Sequence, residues 1–115
     1  MTKVGLLGTK FTMEMGFYQS KLNEFGIEVL TPKKPEDLDR IQHIVKEELG
    51  KGLMKESSKQ EFIQFSNHLI RQGAQGIVLG CTEIPLLINE HDFESIPVFD
   101  TTKIHVQAIL DFILN

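Results

Sequence analysis

The sequence predicts an α/β fold, a four-stranded parallel sheet flanked by helices. Two observations carry this. Short apolar runs alternate with amphipathic stretches along the whole chain, and strands separated by helices favour parallel pairing through right-handed crossovers. Composition agrees: the 115 residues are 41% hydrophobic and 24% charged, close to the globular norm. The order reads β-α-β-α-α-β-(short α)-β-α and resembles half of a doubly wound fold. The prediction is one domain over residues 1–115.

Each element has its own signal. Val4-Gly5-Leu6-Leu7 is a buried strand ended by Gly8. Phe11, Met15, Tyr18, Leu22 and Phe25 recur at steps of four and three, which fits a helix with Thr12 as N-cap and Gly26 at its end. Ile27 to Leu30 is the second strand, closed by Thr31-Pro32. Pro35 opens a helix, with Glu36, Asp37 and Asp39 matching its first-turn dipole. Leu38, Ile41, Val45 and Leu49 form its apolar face, and Gly50 and Gly52 stop it. Another helix runs from Ser57 or Ser58 to Gly73. Ile77-Val78-Leu79 is the third strand. Ile96 to Phe99 is the fourth, placed at an edge by Pro97. Asp100 or Thr101 caps a terminal helix over 101–114. That helix has a single narrow polar stripe, Lys103, Gln107, Asp111 and Asn115, so it asks for cover on two sides.

Several functions are excluded early. A net charge of −4 and a pI near 5.5 argue against a nucleic-acid or anionic-membrane surface. The apolar runs are too short to span a bilayer, and no signal peptide is visible. One cysteine, Cys81, excludes an intrachain disulfide and a Cys-rich zinc module. His43, His68, His91 and His105 have no metal-ligand spacing. The expectation is a cytoplasmic domain without a metal.

Ligands of open parallel sheets lie beyond the carboxyl ends of the strands. Two such ends carry chemistry. Gly8-Thr9-Lys10-Phe11-Thr12 offers backbone N–H groups and two hydroxyls suited to a carboxylate or phosphate, although a tight strand-to-helix turn with Thr12 as N-cap is the plainer reading of these residues taken alone. It matches neither the Walker nor the GxGxxG pattern. Gly80-Cys81-Thr82-Glu83 puts a thiol where a strand ends and a short helix begins. There, amides and the helix dipole stabilise a thiolate that acts as base or nucleophile. An inert core cysteine is the plainer reading of the same residue. Lys51, in a glycine-flanked loop, is within reach of an anion or simply solvated. His105 falls near the same sheet end.

Residues 5–13, Gly-Leu-Leu-Gly-Thr-Lys-Phe-Thr-Met, and 78–87, Val-Leu-Gly-Cys-Thr-Glu-Ile-Pro-Leu-Leu, together resemble the aspartate/glutamate racemase family. The Cys-Thr-Glu-Ile-Pro form, and Phe99-Asp100-Thr101-Thr102 followed by His105, are most similar to its aspartate racemase branch. The resemblance runs from Lys3 to Leu114 and covers only the second half of that family's two α/β halves. It implies a cofactor-independent enzyme that racemises aspartate or glutamate, each half supplying one cysteine to a site between them. It makes Cys81 the acid/base of the second half. Thr9 and Thr12 match substrate-binding positions, Thr82 would bind the substrate carboxylate, and Glu83 stands where glutamate racemases carry His. Lys51 aligns with a substrate-contacting lysine. The missing first cysteine implies an isolated half, inactive or weak alone: a truncated product, a fragment or a split gene. Its partner is then a second copy, giving a homodimer, or the missing N-terminal half, packed on helix 101–114. A thiol-dependent isomerase or decarboxylase of small dicarboxylates, and a non-catalytic carboxylate-binding or pairing module, are the competing expectations.

Overall fold

The computed structural model describes residues 2–93, 96–100 and 111. The terminal helix expected over 101–114, with His105, lies outside the described residues. The elements are β1 (Lys3–Leu7), α1 (Lys10–Met15), α2 (Phe17–Asn23), β2 (Glu28–Leu30), α3 (Pro35–His43), α4 (Glu56–Arg71), β3 (Ile77–Leu79) and β4 (Val98–Asp100). A π turn, Ile44–Glu48, and a 3-10 turn, Leu49–Lys51, extend α3, and 3-10 turns at Ile84–Leu86 and Glu90–Asp92 join β3 to β4.

The four strands form one sheet in the order β2-β1-β3-β4, and every pairing is parallel. β4 occupies an edge, as Pro97 predicts. Side chains alternate across the sheet with the period of two that strands impose. Leu7, Ile77 and Leu79 pack with Ile41, Ile44, Phe62 and Leu69 of α3, its π extension and α4. Val4, Leu6, Val78 and Phe99 face the other way and meet Leu22 of α2 and Ile27. The core is therefore two apolar layers, one on each face of the sheet.

Three expectations need correction. The predicted helix of residues 11–25 is broken: Gly16 adopts φ 79° between α1 and α2, a left-handed conformation that glycine takes without steric cost. Its N-cap is Thr9 rather than Thr12, because Thr9 is extended and its hydroxyl accepts the Thr12 N–H. The short helix after Cys81 is a single 3-10 turn, with Pro85 in it. Periodicity sees none of these, since each is a matter of one residue's φ or one hydrogen bond.

One polar residue takes a core position. Glu48 falls seven residues after Ile41 on the apolar stripe of the α3 extension and is 4% exposed. Its carboxylate accepts a short hydrogen bond from Ser58 Oγ on α4, with Arg40 Nη2 at 3.8 Å. Arg40 also grips Glu61 of α4 through two hydrogen bonds, Nε at 2.7 Å and Nη2 at 2.9 Å. A planar guanidinium matches a carboxylate in this two-pronged way. These contacts lock α3 against α4.

Two predictions follow from this packing. A Cβ on Gly5 would stand 2.9 Å from Ile77 Cδ1 and 3.0 Å from Leu69 Cδ1. Gly5→Val should therefore cost about 1–3 kcal/mol through overpacking, read as a lower urea midpoint; an unchanged midpoint would show that α4 does not seat on β1 at this glycine. The Arg40 hydrogen bond holds Glu61 below the usual carboxylate range. Its stabilising effect is complete above the unfolded carboxyl pKa of about 4.3 and is lost as pH falls through the lower folded value. Between about pH 5 and 3, Glu61→Gln should lose less stability than the parent chain; parallel pH profiles would remove the pair from the account.

Candidate active site

The site begins where β1 and β3 end side by side. Leu7 pairs with Leu79, and the Gly80 N–H donates to the Leu7 carbonyl at 2.7 Å. The next residues on the two chains are the two turns singled out in the sequence. Both carry a glycine at the crossing, and the spacing needs it. A Cβ on Gly8 would lie 3.1 Å from Thr12 Cγ2, and one on Gly80 would lie 3.0 Å from the same methyl. The Thr12 methyl thus wedges over both glycines and brings the threonine turn against the cysteine turn.

The threonine turn is internally bonded. Thr12 N–H donates to Thr9 Oγ1 at 3.2 Å, and the two hydroxyls are 3.0 Å apart. The Lys10 N–H donates to Gln42 Oε1 of α3 at 2.7 Å, and Lys10 Nζ pairs with Asp39 at 2.9 Å. The amides of Lys10 and Thr12, which the sequence reading offers to an anion, are therefore already engaged. What the turn presents is the threonine hydroxyl pair. Gln42 and Asp39 were missed by the sequence reading: they lie three residues apart on one face of α3, but their partner is about 30 positions away.

Cys81 is half-buried and packs against the apolar layer that contains Leu79 and Ile84. Burial pushes its thiol up, to about 11, from an ordinary value of 9.0. Backbone hydrogen bonds from Ile84 and Glu83 pull the other way, and the Glu83 carboxylate adds to the rise. The expected amides are present at the start of the turn. They are outweighed, because a thiolate loses more in leaving water than two amides return, and a neighbouring carboxylate repels it. In this half burial therefore works against the thiolate that the amides favour.

The other predicted residues distribute unevenly. Thr82 is exposed and Glu83 half-buried beside Cys81. Lys51 sits in the 3-10 turn after the α3 extension, its Nζ 2.8 Å from Glu47; the described contacts tie it to Glu47 and to neither turn. A cavity of about 310 Å³ opens between the ends of β3 and β4, lined by Leu79, Pro85, Ile88 and Val98 with His91 and Asp100 among its polar residues. It adjoins the cysteine turn through Pro85, but Cys81 does not line it. Among the described residues no group of His, Cys, Asp and Glu is placed to hold a metal, and no helix is long and apolar enough to cross a membrane.

Fold and site together define an α/β half whose central strands end in a paired-threonine turn and a Gly-Cys-Thr-Glu turn. The chain belongs to the Asp/Glu/Hydantoin racemase family, which it matches over residues 1–109. It is similar to the crystal structure of a protein assigned as an Asp/Glu racemase from Yersinia pestis, with 46% identity and a TM-score of 0.84, over 100% of this chain and 50% of that one. An aspartate racemase homologue from Pyrococcus horikoshii OT3 aligns with 37% identity and a TM-score of 0.80, over 98% and 49% of the two chains. A glutamate racemase from Aquifex aeolicus (strain VF5) is 25% identical over 115 residues, 98% of this chain and 42% of that one. The chain spans about half the length of the relatives it matches.

The thiol gives a direct test. Alkylation by iodoacetamide follows the thiolate fraction, so the rate at Cys81 should climb through pH 10 with a midpoint near 11. Glu83→Gln should move the midpoint down. A midpoint near the free-cysteine value of about 8.5 would show that the sulfur is not desolvated as described.

Proposed function

We propose that this chain forms one half of a cofactor-independent racemase site for a small acidic amino acid, aspartate or glutamate, with Cys81 as the proton-transfer group on one face of the α-carbon. The juxtaposition of the cysteine turn and the threonine turn on adjacent strand ends carries this reading, and family membership supports it. The thiolate of Cys81 takes the α-proton; the electron pair left on carbon delocalises into the substrate carboxylate. A second acid on the opposite face then returns a proton, and the stereocentre is inverted. Thr9, Thr12 and Thr82 hold the carboxylate, which needs preorganised donors as negative charge builds on it. Glu83, beside Cys81, reads the rest of the substrate, whereas Lys51, held by Glu47, is left outside this half of the site.

Inversion needs two proton-transfer groups, and the sequence holds one cysteine. The second belongs to a facing half, either a second copy of this chain or a first half of the family's kind, and the two-sided apolar pattern of residues 104–114 fits cover by that partner. The position of the Cys81 pKa gives the partner a second task. Reactivity near neutrality requires that the substrate ammonium or donors on the facing half lower it. A non-catalytic carboxylate-binding module is the competing reading, and the burial that raises the Cys81 pKa favours it.

L-Aspartate incubated with the chain in deuterated water separates the two. Incorporation of α-deuterium, followed by NMR, is expected, and Cys81→Ser should reduce it by about 10²-fold or more, the usual weight of a positioned acid/base. Absence of exchange with both aspartate and glutamate, in the monomer and in any assembled form, overturns the racemase reading. Calorimetric binding without exchange establishes the binding module in its place.

A further inference from the structure

We propose that Gln42 is a positioning residue for this site: its amide oxygen fixes the Thr9–Thr12 turn, and with it the carboxylate-binding hydroxyls, against the cysteine turn. The inference rests on the racemase reading above and deepens it. The reasoning starts from α1. Six residues, Lys10–Met15, are too few to hold a helix by themselves, and Gly16 interrupts the chain directly behind them. The position of such an element is set by its outside contacts. At its amino end these are the Lys10 N–H bond to Gln42 at 2.7 Å and the Lys10–Asp39 pair at 2.9 Å. The ion pair is exposed on both sides and screened by water, so it holds position weakly. The hydrogen bond from the Lys10 N–H to the Gln42 amide oxygen is exposed as well, but it is short and directional and ties the backbone itself, where the ion pair ties only the end of a flexible side chain.

The anchor itself is firm. Gln42 follows Ile41, which is fully buried, and Arg40, whose double bond to Glu61 fastens α3 to α4. A continuous series of contacts therefore runs from α4 through Arg40 and Gln42 to Lys10, then through Thr9 and Thr12 to Gly80 and Cys81. Gln42 is the link where a single oxygen acceptor decides the geometry. Loss of that acceptor frees the Lys10 amide and lets the turn drift from Gly80. The hydroxyls then meet the carboxylate less well, while the proton transfer at Cys81 keeps its own groups.

Gln42→Met, which keeps the length and removes the acceptor, and Gln42→Glu, which keeps an oxygen, test this with Gln60→Met as a helix-surface control. Two readouts are needed: hydrogen exchange of the Lys10 amide, and KM against kcat for aspartate α-deuterium exchange. Gln42→Met is expected to raise KM by about tenfold, the upper range for one hydrogen bond, with little change in kcat, and to accelerate Lys10 amide exchange by a similar factor. Gln42→Glu should restore both, and Gln60→Met should move neither. An unchanged Lys10 exchange rate in Gln42→Met overturns the inference, since the bond is then not made. Faster exchange with unchanged KM overturns it too, leaving Gln42 a structural contact only. A parent chain that exchanges no aspartate proton at all defeats the racemase reading, and the inference falls with it.

Discussion

The arrangement depends on one backbone hydrogen bond and the two glycines beside it. Where the Gly80 N–H meets the Leu7 carbonyl, β1 and β3 reach their carboxyl ends together. Two chains diverging from adjacent strands ordinarily hold their side chains apart. Here neither glycine has a Cβ, and a single methyl of Thr12 spans both. The threonine turn and the cysteine turn therefore meet through that methyl. Everything chemical in this half hangs from that crossing. A methyl group added to either glycine would press on the Thr12 methyl at 3.0–3.1 Å, so Thr12 would have to give by a few tenths of an ångström.

Electrostatics at the crossing is a contest that this half alone does not resolve in favour of reactivity. Backbone donors at Glu83 and Ile84 favour a negative sulfur, while the apolar layer under Cys81 and the Glu83 carboxylate oppose it. A thiol whose pKa is raised by burial is less prone to alkylation and oxidation. The same burial that raises the pKa strengthens each donor brought near it later.

The helical layer serves the same end. Arg40 spans two carboxylates of different character: Glu61 at the rim, held through two hydrogen bonds, and Glu48 in the core, satisfied by Ser58. A buried carboxylate without such partners is expensive. The π turn that continues α3 buries Ile44 and Val45 together with Glu48, and the Arg40–Glu61 hydrogen bonds tie α3 to α4.

Much of this was legible in the residues themselves. The strand at Ile77–Leu79, the edge placement of β4, the glycine stops and the two chemically distinctive turns follow from short-range rules: period, proline's missing donor, glycine's freedom at positive φ. Those rules act within a few residues, so sequence alone carries them. What it does not carry is any fact whose two partners lie far apart. The capture of the Lys10 amide by Gln42, the burial of Glu48 under Ser58 and the seating of Thr12 on Gly80 join positions that only the sheet order makes neighbours. The state of Cys81 belongs with them. Its local surroundings favour a thiolate, and its depth in the folded layer, a property of the whole half, pulls the other way.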